Sequence, residues 1–454
     1  MDVVILAAGK GTRMNSRLPK VLHQIGGAPM LDHVMARAVE LEPNHIHVVV
    51  GFGADAIQSQ FAAAPCNWVL QAEQLGTGHA LQQAMPGIDS GNADNIVLVL
   101  FGDVPLIQTD TLKELLAHAS PDHLGLLTVV TGTPNGFGRI IRDDSAAVQA
   151  IVEHKDATAE QRLINEVNTG IMAIPAARLQ GWLGQLENNN RQGEYYLTDI
   201  IALARESGCE VRAVQASSEL EVMGVNDKAQ LALLERHYQA LIAEQMLAAG
   251  VTLRDPSRLD VRGDLRCGSD VEIDINTVFS GQVALGNNVR IEANCVIKDA
   301  IIGDGSVILA GTQIDGAEIG QGVSVGPMAR IRPGTVLGDG VKIGNFVETK
   351  KAVFGAGSKA NHLAYLGDTE LGSGCNIGAG TIFCNYDGVN KHKTALGDDV
   401  FVGSNSVLVA PVTLSSGVFV AAGSAINTDV PTDHLAIGRS KQRNISGWKR
   451  PSKK

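Results

Sequence analysis

The chain has 454 residues, 44% of them hydrophobic, with 48 acidic against 37 basic residues and a net charge of −11. Such a length exceeds one ordinary core and predicts two or three domains, while the apolar fraction excludes wholesale disorder. An acidic chain is poorly matched to a polyanion, so nucleic acid is excluded as an expected partner.

Aromatic residues make up only 4% of the chain, beside 51 glycines, which predicts many tight turns and small aliphatic packing. The opening Met1-Asp2-Val3-Val4 lacks a charged segment followed by an apolar one, so no signal peptide is expected. No run reaches the roughly 18 apolar residues of a membrane span, and no membrane insertion is expected. Cys66, Cys209, Cys267, Cys295, Cys375 and Cys384 form no C-x-x-C pair and no zinc spacing. A reducing, cytoplasmic setting follows.

Up to about residue 228, apolar runs alternate with helix-length segments. Val3–Ala7, His47–Val50, Ile96–Phe101 and Leu124–Val130 read as buried strands. Met30–Leu41, Gly76–Met85 and Thr109–Ala119 read as helices between them. The alternation predicts an α/β domain with a mostly parallel sheet, whose ligands sit beyond the carboxyl ends of the strands. From Asp227 to about Ala249, Leu231, Leu234, Tyr238, Leu241 and Gln245 recur at helical spacing and predict one long connecting helix.

Beyond residue 250 the sequence repeats every six residues. Aliphatics stand at Ile319, Val325, Ile331, Leu337 and Ile343, and again at Leu396, Val402, Leu408, Leu414, Val420 and Ile426. Shorter runs in phase are Leu285, Ile291, Ile297 and Ile302, Ile308, Ile314. Three such strands make one coil of a prism in which aliphatics stack inward, predicting a parallel β-helix of about ten coils. Gly often follows the aliphatic, as at Gly320, Gly338 and Gly344, and is expected to take positive φ at the corners. The rhythm fails at Thr381–Ala395, and the stretch Phe383–Lys393 is expected to leave the prism as a functional loop. The tail Lys449, Arg450, Lys453 and Lys454 reads as a solvated end.

The first strand runs into Ala8-Gly9-Lys10-Gly11-Thr12-Arg13-Met14, with Lys20 close behind. A Gly-rich turn after a first strand presents backbone N–H groups to an anion. It is neither a Walker loop nor G-x-G-x-x-G, since Met14 fills the last position. Arg13 and Lys20 add charge that suits a triphosphate with a pyrophosphate leaving group. Asp103, in Leu100-Phe101-Gly102-Asp103-Val104-Pro105-Leu106, is a strand-end carboxylate fit to hold Mg²⁺.

With Gln71–Ala80, Phe137-Gly138-Arg139, Val152–Lys155, Asn168-Thr169-Gly170 and Gly224-Val225-Asn226, the chain resembles a known family over essentially its whole length. That family is the bifunctional bacterial N-acetylglucosamine-1-phosphate uridyltransferases and glucosamine-1-phosphate acetyltransferases. The resemblance implies a Rossmann-like nucleotidyltransferase domain over 1–228 and a helical linker over 229–249. A left-handed parallel β-helix of hexapeptide repeats would follow over 250–454. Leu6, Ala7, Ala8, Gly9, Gln71, Gly76 and Thr77 would hold the uracil and ribose, with Phe101 and Gly102 beside them. Gly138, Glu153, Asn168 and Asn226 would hold the sugar. Asp103 and Asn226 would carry Mg²⁺, and Arg13 and Lys20 would act catalytically on the UTP phosphates. Phe101 stands where the family pattern has Tyr.

In the rear domain, the resemblance makes His362 the base that frees the sugar amine for acetyl transfer. Arg332 and Lys350 would meet the phosphate of glucosamine-1-phosphate, and Tyr365, Asn376 and Asn385 would complete sugar recognition. Acetyl-CoA would contact Ala379, Asn385, Tyr386, Ser404, Ala422 and Arg439. The implied partners are UTP, acetyl-CoA, glucosamine-1-phosphate, N-acetylglucosamine-1-phosphate and further copies of the chain in a homotrimer. The implied product is UDP-N-acetylglucosamine, for peptidoglycan and lipopolysaccharide synthesis. Two other readings stay open on residues alone: a single-activity nucleotidyltransferase with a structural β-helix, and a non-catalytic scaffold.

Overall fold

The apolar runs of the front half become the strands Asp2–Leu6, His45–Val50, Ile96–Phe101 and His123–Val130. Val3, Val4, Val48, Val49, Leu98 and Val99 are fully buried, which is why these strands read as unbroken apolar runs rather than as alternations. The helices Met30–Glu40, Thr77–Ala84 and Thr109–Ala117 lie close to the expected segments. The computed structural model describes residues 1–134 and 136–453, so Lys454 of the basic tail lies outside them. Lys449, Arg450 and Lys453 are exposed. Contacts divide the chain into two compact units, 1–238 and 239 onward.

The front sheet orders its main strands Glu210–Gln215, His123–Val130, Glu166–Pro175, Ile96–Phe101, Asp2–Leu6, His45–Val50, Asn67–Leu70. Its half from Ile96 to Leu70 is parallel. Glu210–Gln215 and His123–Val130 also pair in parallel, so the sheet is mostly parallel as expected, and the exception is Glu166–Pro175, antiparallel to both neighbours. The hairpin Arg139–Arg142 with Val148–Val152 hangs from that same strand. Its strands carry Arg139 and Arg142 and so lack the apolar signature that marked the others.

The helix Lys228–Ala248 crosses the boundary between the units. In the front unit it buries Leu234 and packs Leu231 and Tyr238 against Met14, Ile25, Met30, Leu106 and Val225. The expected stripe then breaks, for Gln245 is exposed and Ala243 and Met246 are buried instead. Gln239 is buried too, with its amide bonded to the N–H and C=O of Val261 at 2.8 Å each.

The rear unit is a parallel β-helix. Ile273, Ile291, Ile308, Val325, Ile343, Ala360, Ile377, Val402 and Val420 stack in register on one face. Every one is buried, and each Ile or Val side chain stabilises the stack by roughly 1.5–3 kcal/mol. The residue four places on is buried as well, as at Val323, Ala329, Thr335, Val341 and Val347.

The glycines meet the expectation only in part. Gly326, directly after Val325, has φ 107°, but positive φ also falls three residues after the aliphatic, at Gly322 (62°) and Asn405 (54°). Gly344, directly after its aliphatic, is small for another reason: a Cβ there would collide with the Asn361 carbonyl of the next coil. The loop also begins later than expected. Phe383 is wholly buried inside the prism on the strand Ile382–Cys384, and the chain leaves only at Asn385. It returns at Thr394–Leu396, which pairs with Thr369–Leu371.

Candidate active sites

In the front unit, a cavity of about 530 Å³ opens at the carboxyl ends of the parallel strands. It is lined by Leu6, Ala7, Ala8, Gly9, Lys20, Gln71, Gly76, Thr77, Phe101 and Asp103 of the expected set, and also by Lys10, Gln74 and Glu194. Local geometry holds the loop open. Gly11 has φ +57°, and a Cβ there would sit 2.7 Å from Lys20 Cβ, so glycine lets Lys20 pass behind the loop. Met14, where a dinucleotide loop has glycine, is 1% exposed in the core and pins the turn, while Arg13 points outward as an exposed residue. Buried Gln71 donates to the Gly76 carbonyl at 3.1 Å, and Thr77 Oγ1 accepts the Leu197 N–H at 3.1 Å.

Lys20 Nζ makes a close ion pair with Asp103 Oδ2 and lies 3.4 Å from Asn226 Oδ1. A carboxylate and an amide oxygen therefore converge on one cation. Such hard oxygen donors suit Mg²⁺, which takes one or two protein ligands and completes its shell with water and phosphate. The Lys20 ammonium already sits where a cation is favoured.

Gly138, Glu153 and Asn168 form a second group. The Asn168 N–H donates to the Gly138 carbonyl at 2.9 Å, and a Cβ at Gly138 would lie 3.3 Å from Glu153 Oε1. Glu153 accepts from Thr198 Oγ1 at 3.2 Å and lines a separate cavity of about 390 Å³ with Asp156, Asn190, Tyr196 and Asp199. Burial pushes its carboxyl up from the ordinary glutamate value, and neighbouring carboxylates add to the rise. Phe101 reaches toward this group: a Cβ at Gly170 would fall 2.5 Å from its ring. Gly102, Gly138, Asn168, Asn226 and Arg13 lie outside the lining of the first cavity.

In the rear unit, His362 and Asn345 are register partners on adjacent coils, and His362 Nδ1 donates to Asn345 Oδ1 at 2.9 Å. Arg332 pairs with Glu348 at 2.7 Å. The Lys391 ammonium beside Lys350 holds that amine below the usual lysine range. Asn385 is buried and donates to Asp368 at 2.5 Å, and a Cβ at Gly367 would strike both the Tyr365 hydroxyl and the Asn385 amide. Half-buried Asn376 pairs with Phe401. The backbones of Ala379, Ser404 and Ala422 follow one corner from coil to coil, and Arg439 donates to the Ala422 carbonyl at 2.7 Å. Tyr386 projects from the loop, 59% exposed. Asn345 and Asp368 were not among the expected site residues, and Asn345 meets His362 through strand register. Burial pushes the Cys267 and Cys295 thiols up to about 11, so neither is a nucleophile.

Residues 3–169 match the model of the MobA-like NTP transferase domain. Residues 261–354 match the GMPPB C-terminal domain, and 393–428 the hexapeptide repeat of succinyl-transferase. The Bifunctional protein GlmU of Stutzerimonas stutzeri is 54% identical over 454 residues, all of both chains. Those of Marinobacter nauticus and Pseudomonas syringae pv. tomato are 55% and 56% identical over 453 residues, covering 100% of this chain and 99% of theirs. The chain belongs to the GlmU family of bifunctional proteins. It is an enzyme of the transferase class, with a nucleotidyltransferase domain in front and hexapeptide acyltransferase repeats behind. Among the described residues, no helix is long and apolar enough to cross a membrane.

Proposed function

We propose that the chain carries out two steps of UDP-N-acetylglucosamine synthesis in the cytoplasm. The rear domain, 250–454, moves the acetyl group of acetyl-CoA to glucosamine-1-phosphate. The front domain, 1–228, joined through the linker 229–249, then moves the uridyl group of UTP to N-acetylglucosamine-1-phosphate.

The observation that carries the front assignment is the convergence of Lys20, Asp103 and Asn226 at the rim of the loop cavity. Asp103 and Asn226 would hold Mg²⁺, which supplies charge neutralisation on the phosphates. The loop Leu6–Gly9 and Gln71, Gly76 and Thr77 bind and orient the nucleotide, with Phe101 and Gly102 beside it. Arg13 and Lys20 offset charge as the sugar phosphate attacks the α-phosphorus in line and pyrophosphate leaves. Gly138, Glu153 and Asn168 orient the sugar.

In the rear domain, His362 takes a proton from the amine, and Asn345 holds its ring so that Nε2 faces outward as the base. Arg332 and Lys350 meet the sugar phosphate. Tyr365, Asn376 and Asn385 hold the sugar, while Tyr386, Ala379, Ser404, Ala422 and Arg439 line the path of acetyl-CoA. The chain is expected to act as a homotrimer, as the resemblance implies.

Two assays on one preparation test the reading. Pyrophosphate release from UTP should require Mg²⁺ and N-acetylglucosamine-1-phosphate. CoA release should require glucosamine-1-phosphate and not UTP. Pyrophosphate without CoA release would reduce the β-helix to a scaffold.

A further inference from the structure

The amino-terminal end of the central parallel strands, opposite the loop cavity, carries a cluster that nucleotide chemistry leaves unused. Asp2 and His45 open neighbouring parallel strands in register, and His47 follows two residues on, on the same face as His45. The candidate ligand atoms of Asp2, His45 and His47 all lie within 4.8 Å of one another. Asp2 is 1% and His47 2% exposed, whereas His45 is exposed. Asp2 Oδ1 and His45 Nδ1 are 3.1 Å apart. Asn95 Nδ2 donates to the other Asp2 oxygen at 2.8 Å, and the His47 ring is hydrogen-bonded to the Gly87 backbone. His47 Nε2 is nevertheless buried with no hydrogen-bond partner among the described residues.

An Asp2–His45 ion pair would explain two of these groups and leave the third, the buried His47 Nε2, with its desolvation uncompensated. A bound cation accounts for all three. We propose that Asp2, His45 and His47 form a structural site for a divalent transition-metal ion of the zinc type.

The chemistry supports that class. Two imidazoles and a carboxylate favour Zn²⁺ and its neighbours over Mg²⁺, whereas the oxygen pair Asp103 and Asn226 favours Mg²⁺. Ligands about 2.0–2.1 Å from a tetrahedral zinc lie about 3.3 Å apart, close to the Asp2–His45 spacing. Binding draws the remaining atoms together and leaves a fourth position for water. Asn95 and the Gly87 backbone are the outer partners that orient such ligands. A cavity of about 420 Å³ lined by Glu42, Asn44, His45 and Cys66 gives the ion a route in. Bound there, the ion clips together the starts of the strand that leads into the loop and its neighbour.

The test uses the untagged full chain. Zn²⁺ binding is measured by equilibrium dialysis under excess Mg²⁺, Co²⁺ is added for its visible spectrum, and melting is followed with and without Zn²⁺. The wild type should retain one Zn²⁺ per chain, give a tetrahedral Co²⁺ absorption and melt higher with zinc, because only the folded state binds. His45→Ala alters an exposed side chain and should fold normally. It should lose Zn²⁺ affinity by at least about tenfold and lose the zinc-dependent rise in melting. Asp2→Asn should do the same. No Zn²⁺ retained by the wild type under excess Mg²⁺, or equal affinity in His45→Ala, would overturn the site and leave an ion pair.

Discussion

His362 Nδ1 donates a 2.9 Å hydrogen bond to Asn345 Oδ1 across two adjacent coils of the β-helix. An amide oxygen only accepts, so the bond puts the ring proton on Nδ1 and leaves Nε2 as the basic atom. His362→Ala should lower acetyl-transfer kcat by about 10²–10⁴-fold and leave uridyl transfer unchanged. Asn345→Asp should set a carboxylate against the ring, favour the imidazolium and move the acidic limb of the acetyl-transfer pH profile upward. A profile identical to wild type would separate Asn345 from the base.

Asp103 is held by Lys20 on one side, and its backbone carbonyl accepts the Val225 N–H at 2.9 Å. Asp103→Ala keeps the backbone bond and removes the oxygen offered to a cation. Uridyl transfer should fall by at least about 10²-fold, with acetyl transfer within about twofold of wild type. Parallel assays of pyrophosphate and CoA release decide it, and loss of both activities in a folded protein would count against separate sites.

The loop 385–393 is organised around Asp387. Its carboxylate accepts the N–H groups of Val389 at 2.8 Å and Asn390 at 2.6 Å, and lies 2.7 Å from His392 Nε2. The Asn390 N–H and the His392 ring hold the carboxyl well below the usual carboxylate range. Asp387→Ala should loosen the turn that presents Tyr386 and raise the KM for acetyl-CoA by about 5–10-fold. The kcat at saturation and the uridyl reaction should stay near wild type. An unchanged KM would mean that the loop does not meet CoA.

The repeats were legible because inward positions recur every sixth residue within each run, although coils of 17 residues, as from Ile291 to Ile308, interrupt the count between runs. The loop's start was misplaced because Phe383 is aromatic among aliphatics, yet it fills the same inward position as Leu408, its register partner. In the front unit, fully buried parallel strands announced themselves, whereas the hairpin bearing Gly138 and Arg139 did not. Arg139 is wholly buried although charged, and donates to the Phe137 carbonyl and the Arg162 carbonyl. Such burial depends on partners that spacing cannot reveal. Asn345 was invisible for the same reason, since it meets His362 by register 17 residues away.

Glu153 is where stability and the proposed sugar site oppose each other. Burial raises its folded-state pKa above the ordinary value of 4.5. A raised carboxyl is neutral in both states at low pH and carries no penalty there. As pH rises through the folded pKa, the buried charge costs stability that the unfolded chain does not lose. Glu153→Gln mimics the neutral form. At neutral pH the variant should therefore melt on the order of 2 °C higher than wild type. The gain should vanish as pH falls to 4.5 and below, where wild type is protonated in both states. Its KM for N-acetylglucosamine-1-phosphate should rise, because an amide replaces a carboxylate acceptor. Thermal melts of both proteins across that pH range check the sign: a difference that grows toward acid would mean that Glu153 is stabilised as the anion, and that the carboxyl is not desolvated in the folded chain.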